Sequence, residues 1–241
     1  MQSSLYVALS AQVSLQKRLE TIAHNVANAS TSGFRAEEVK FETLLSNAAP
    51  DPISFASTGQ TFLSRRSGEF VRTDNLFDVA VEGNAWMAIQ TPAGRVYTRD
   101  GRLKMTETGE LRTLNGHPVL DAGGAALLIE PNSGPPRIAR DGTIVQAGRQ
   151  IGAIGLFTID ENATLRRFEN SGVIPDRPAA PAIDFTKIGM QQGYVERANV
   201  NPVMEMSKLI MVTRAFDAVT ASIAASENSM QEAIRTLGST G

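Results

Sequence analysis

Both ends of the chain run for long stretches without proline or glycine, whereas the segment between them is interrupted by one or the other every few residues. Either residue weakens a helix interior, so the ends are free to form long helices and the middle is not. From Leu5 to Ala29, apolar or small residues fall at Leu5, Ala8, Leu15, Leu19, Ile22 and Val26, with Gln12 as the one polar member of the seam. Steps of 3, 4 and 7 residues put them on one helix face. From Val203 to Leu237 a second seam reads Met206, Leu209, Thr213, Phe216, Thr220, Ile223, Glu227, Met230, Ile234 and Leu237, alternating by 3 and 4. Asn201 is placed to cap this helix, Pro202 suits its first turn and Gly238 its stop. The first seam is weakened by Ala8 and Gln12 and the second by Thr213, Thr220 and Glu227, so a lone helix pair would bury little apolar area. The spacing therefore predicts helices that need partners from other chains.

The middle reads as short strands: Asp78 to Glu82, Trp86 to Ile89, Arg95 to Thr98, Leu103 to Met105, Glu110 to Arg112, Pro118 to Leu120, Ala126 to Ile129, Thr143 to Val145 and Gly152 to Thr158. Turns such as Asn115-Gly116 and Asp141-Gly142 separate them, and no βαβ unit is visible. The expected fold is α+β: an antiparallel all-β central domain inserted between long N- and C-terminal coiled-coil-forming helices. The expected divisions are an N-terminal assembly helix at 1–35, an extended connector at 36–71, the β domain at 72–171, a second connector at 172–201 and a C-terminal assembly helix at 202–241. Pro50, Pro52 and the polar run Ser54 to Gln60 mark the first connector; Pro175, Pro178 and Pro181 mark the second.

Chemistry is mostly excluded. With 23 Lys+Arg against 25 Asp+Glu the net charge is −2, and no basic block points to nucleic acid. The absence of cysteine removes disulfide frameworks, thiolate metal sites and Cys nucleophiles, and His24 and His117 alone do not make a metal site. There is no phosphate loop, nucleophile elbow or HExxH. Asp74, Asp78 and Glu82 have no visible catalytic partner, and the lone Trp86 reads as core. No enzyme, cofactor or metal is expected. Met1 to Gln16 alternates apolar and polar residues without an early base, unlike a secretory signal. The apolar run Ile151 to Ile159 is far shorter than the roughly 20 residues that cross a bilayer, so no direct membrane insertion is expected.

Four motifs carry a resemblance. Ala23-His24-Asn25-Val26-Ala27-Asn28, followed by Thr31, Gly33, Phe34 and Arg35, resembles the N-terminal signature of the flagellar axial proteins, the basal-body rod and hook family. His24 and Val26 replace the Asn and Leu usual there. Gly193-Tyr194-Val195-Glu196-Arg197-Ala198-Asn199-Val200, leading through Glu205 and Met206 to Arg214-Ala215-Phe216, is similar to that family's C-terminal signature, with Ala198 where Ser is usual. Leu76 to Gly83 and Tyr97-Thr98-Arg99-Asp100-Gly101 look like its central motifs. The resemblance implies a structural subunit that polymerises with copies of itself and with other rod proteins into a helical tube, the axial drive shaft crossing the periplasm. It also implies export by the flagellar type III apparatus without a cleaved signal. The length and single modest β insertion look most like proximal-rod members; a distal-rod protein, another axial protein, or a phage-tail or appendage subunit of the same plan is the alternative. The residues expected at the assembly interface are Leu15, Leu19, Ile22, Val26, Met206, Leu209, Phe216, Ile223, Met230 and Ile234. Those carrying the family motif are Asn25, Ala27, Asn28, Gly33, Phe34, Asn199, Val200, Glu205 and Arg214.

Overall fold

The computed structural model describes residues 2–40, 43–46, 53–57 and 59–238. Pro50 and Pro52 lie outside them. The chain divides into a helical unit, Met1–Ala27 with Glu37–Phe62 and Asn201–Gly241, and a β unit, Asn28–Ala36 with Leu63–Val200. Helix, antiparallel strands and helix follow in that order, so the α+β expectation holds.

In the helical unit, α1 (Gln2–Ala27) packs against α2 (Pro202–Gly238). Asn201 caps α2, its Oδ1 accepting from the backbone N–H of Val203 and Met204 at 3.1 Å each. Gln12 Nε2 donates to Thr220 Oγ1 at 3.2 Å and Asn25 Nδ2 to Glu205 Oε2 at 3.5 Å, so the helices run antiparallel. That register sets Leu15 level with Phe216, Leu19 with Val212 and Ile22 with Leu209. α2 then runs on for about two turns past the start of α1. The shielded face of α2 is Glu205, Leu209, Val212, Phe216, Val219, Ile223, Ser226 and Met230, steps of 4 and 3. Leu209, Phe216, Ile223 and Met230 were expected there. Met206, Thr213, Thr220, Glu227 and Ile234 are exposed instead, and the side chain of Leu237 lies outside the described residues. Steps of 3 and 4 leave two choices between successive anchors. Val212 and Val219 win over the threonines that follow them, and Glu205 wins over Met206 because Asn25 and Lys208 satisfy its carboxylate.

Four strands accompany the helices: Glu37–Lys40 pairs with Gln60–Leu63, and Thr43–Ser46 with Ile53–Ala56. They occupy what reads in sequence as a connector. The strand Ile53–Ala56 packs on α1, and Ser14 Oγ on that helix donates to the carbonyl of Ser57 at 2.8 Å. By length and composition, Pro202–Thr236 is apolar enough to cross a membrane, with mean hydropathy 1.3 over its most apolar window. That window is longer than Ile151 to Ile159, the run on which the expectation of no membrane insertion rests, and length and composition alone do not put it in a membrane.

The β unit is organised by a six-stranded antiparallel sheet in the order Leu165–Phe168, Gly172–Pro175, Gly94–Thr98, Trp86–Thr91, Leu156–Thr158, Ala180–Pro181. Its central strands are buried on both faces. Met87, Ile89 and Val96 join Val79, Leu111 and Ile144 in one core, while Trp86, Ala88 and Tyr97 join Leu120, Phe157 and Val173 in another. The segment read as a second connector supplies strands at Gly172–Pro175, Ala180–Pro181, Gly189–Gln192 and Tyr194–Glu196. Pro175 and Pro181 sit at the last residues of their strands, where a missing N–H interrupts little of the ladder. Conversely, Pro118 to Leu120 and Ala126 to Ile129 contribute only isolated bridges.

The observed α2 face yields a direct test. Val212→Ala removes two methyl groups from a buried site and should cost the helix pair about 2 kcal/mol. Thr213→Ala, one residue along and exposed, should stay within about 0.5 kcal/mol. Urea unfolding followed by helical circular dichroism reads both.

Candidate functional site

Most of the family-motif residues are hydrogen-bonded joints inside one unit or the other. In the helical unit, Asn25 is buried near the end of α1 and treats Glu37 as a strand neighbour would: its Nδ2 donates to the Glu37 carbonyl and its Oδ1 accepts from the Glu37 N–H, both at 2.8 Å. The same amide reaches Glu205, whose other oxygen takes Lys208 Nζ at 2.6 Å. One side chain thus satisfies both backbone groups of a strand residue and meets the first turn of α2. His24 lies beside it, Nδ1 3.6 Å from Glu37 Oε2.

In the β unit the exit of the N-terminal motif is sewn to the C-terminal motif. The Gly33 N–H donates to the Glu196 carbonyl at 2.8 Å, and Asn199 N–H to the Phe34 carbonyl at 3.3 Å. Asn199 Oδ1 accepts from Ala36 N–H at 2.6 Å, and its Nδ2 donates to the Arg66 carbonyl at 2.7 Å. Gly33 has φ +68, and a Cβ there would fall on the backbone of Arg99 and Asp100, so the position admits no side chain. Phe34 is buried with Arg167 over its ring at 4.3 Å. Asn28, also buried, accepts the Thr31 N–H in the turn that follows α1.

Beneath this seam lies a group of charges that sequence reasoning quoted within the motifs but did not single out. Glu196 has no exposed surface. Its Oε1 meets Arg35 Nη2 at 2.9 Å and the Gly68 N–H at 2.8 Å, and its Oε2 meets Arg99 Nε at 2.6 Å. Arg99 spends its other donors on the carbonyls of Gly83, Ala85 and Val81; Arg35 Nη1 donates to the Arg66 carbonyl. Both guanidinium groups stand over Trp86, at 5.5 and 5.8 Å from its ring. Burial, and then the Arg99 charge, push Arg35 down to about 10 while Glu196 holds it up, so it stays protonated at neutral pH. Two cations and one anion leave an excess positive charge, spread over carbonyl dipoles and the aromatic face.

The remaining motif positions, Ala27, Val200 and Arg214, are exposed or half-buried. Of the residues expected at the assembly interface, Ile22 is buried; Leu15, Leu19, Val26, Leu209, Phe216, Ile223 and Met230 are half-buried; Met206 and Ile234 are exposed. His117 Nε2 lies 3.2 Å from Glu169 Oε1, whose partner oxygen takes Asn115 Nδ2 at 2.9 Å. Asp74 accepts from Arg72, Asp78 from Asn75, and Glu82 pairs with Arg140. Asp141, Asp160 and Asp184 are held below the usual carboxylate range by hydrogen bonds from Thr143, Asn162 and Thr186 in their own turns. Among the described residues no group of three His, Asp or Glu side chains is arranged to hold a metal ion.

The comparisons follow the same seams. Residues 5–35 match the family described as Flagella basal body rod protein, 80–149 the Flagellar hook protein FlgE/F/G D1 domain, and 191–236 the Flagellar basal body rod FlgEFG protein C-terminal. The flagellar basal-body rod protein FlgF of Mesorhizobium japonicum is 52% identical over 239 residues, 99% of each chain. The chain belongs to the flagellar basal-body rod protein family. The FlgF proteins of Rhizobium meliloti, 48% identical, and Caulobacter vibrioides, 32% identical, are also matched over 99% of each chain. The first and third family regions hold Asn25, Gly33, Arg35, Glu196 and Asn199, so the rod signatures of this chain coincide with its hydrogen-bonded joints.

Asn25→Ala would leave the Glu37 amide and carbonyl without their partner. The expected loss is about 2 kcal/mol or more, read as a lower urea midpoint of the helical signal.

Proposed function

We propose that this structural subunit of the flagellar basal-body rod polymerises through its paired terminal helices into the helical tube that transmits torque. The observation that carries the reading is apolar surface facing outward from a helix pair whose inner face is already used. On α1, Tyr6, Leu9 and Val13 form an exposed stripe at steps of 3 and 4; on α2, Val203, Met204, Met206, Ile210 and Met211 form a second. Two different stripes make a heterologous contact, which repeats into a helix rather than closing on itself.

In this reading the expected interface residues divide into two sets. Leu15, Leu19, Ile22, Val26, Leu209, Phe216, Ile223 and Met230 hold α1 to α2 as an antiparallel coiled coil. Met206 and Ile234 join the outward stripes. The partners are further copies and other rod proteins, with a place in the proximal part of the rod supported by the likeness to FlgF proteins over 99% of each chain. Export through the flagellar type III apparatus belongs to the same reading and rests on the rod-family matches at 5–35 and 191–236. Neither nucleic acid nor membrane insertion belongs to this reading, and the chain acts as a mechanical part rather than a catalyst.

Leu9→Asp with Ile210→Asp tests it, because both residues are half or more exposed and their loss leaves the inner seam intact. The variant should be produced with normal helical content, be missing from isolated basal bodies and leave cells non-motile. Cells that swim normally with this variant in their basal bodies would sink the proposal. Leu19→Asp with Phe216→Asp should fail at an earlier step, losing helical content while the β unit keeps its fold.

A further inference from the structure

We propose that Glu196 is a completion latch: the β unit holds its folded state only once the last segment of that unit has delivered this carboxylate between Arg35 and Arg99. Nothing in the assembly reading requires this, and it stands on the β unit alone.

The three charged groups come from distant parts of the chain and are buried together, with side-chain exposures of 2%, 1% and 0% for Arg35, Arg99 and Glu196. Arg99 is set in place locally, since the carbonyls that hold it, on Val81, Gly83 and Ala85, lie 14 to 18 residues away. Its counter-ion lies 97 residues further on. Glu196 is the last residue of the strand Tyr194–Glu196, which pairs with Phe70–Arg72 and follows in sequence on Gly189–Gln192, paired with Val79–Glu82. The segment therefore brings ladder hydrogen bonds and the neutralising charge in one step.

Without that step, two guanidinium groups above one indole ring would share a dry site with no anion between them. Hydrogen bonds to carbonyls orient Arg99 but do not cancel a second positive charge beside it. Removing one partner of a buried ion pair shifts a folding equilibrium by roughly 100-fold or more. A β unit that had closed without residues 189–196 would carry this penalty in its core, against Trp86. The segment is thus not a detachable arm: opening it opens the unit, and the two unfold together.

The full chain supplies its own reporter, because Trp86 is the single tryptophan and sits in the network. Glu196→Gln keeps the shape and one acceptor but removes the charge. The expected result is a shift of the urea unfolding equilibrium by roughly 100-fold, read from Trp86 emission, with amide-exchange protection falling together in 86–91 and 189–196. Arg35→Met added to Glu196→Gln restores the wild-type net charge of the site and should recover at least about tenfold of the loss. That second variant decides the matter even where Glu196→Gln alone fails to fold. Protection lost only in 189–196 with Trp86 emission unchanged, an unchanged equilibrium, or no recovery on adding Arg35→Met would each overturn the latch.

Discussion

A carboxylate with no exposed surface, held between two buried arginines, is the condition on which the β unit rests. Taking three charges out of water is costly unless each finds its hydrogen-bond partners, and here nearly every donor has one: Glu196, four backbone carbonyls, and the face of Trp86 beneath. The bonds are directional, so they set position as well as energy. Arg35 ends the N-terminal motif, Arg99 follows a central strand, and Glu196 closes the C-terminal strand. Their meeting holds in register the backbone seam of Gly33, Phe34, Glu196 and Asn199.

The helical unit solves a related problem with less charge. Asn25 imitates a strand neighbour for Glu37, and Glu205 occupies a position on the α2 inner face where an apolar residue would be the simpler choice. Gln12 and Thr220 make another polar rung. Each of these contacts is costly to leave unmade and is satisfied in only one alignment, so they fix how far one helix slides along the other. Apolar contacts alone would define that alignment less sharply.

Much of this was legible in the chain itself. Proline and glycine punctuation locates both helices within a few residues, and Asn201 caps α2 as expected. The motifs were found by resemblance, but the reasons for them were not: an Asn that bonds a backbone, or a Glu between two Arg, reads in one dimension like any surface polar residue. Every second position of the α2 seam reads one residue late, because Val212-Thr213 and Val219-Thr220 fit the spacing equally and only the greater apolarity of valine chooses. The strands of 172–196 escape because Pro175, Pro178 and Pro181 suggest a tether, whereas Pro175 and Pro181 end strands without breaking them.

The unequal lengths of α1 and α2 have a geometric result. A hairpin of equal helices ends bluntly on both sides, but a longer α2 gives this one a single-helix tip, with Ile234 exposed on it, and a double-helix base. A building block with a tip and a base has an arrow. Any array of such blocks laid in one orientation inherits that arrow, so its two ends differ in shape and in what can be added to them.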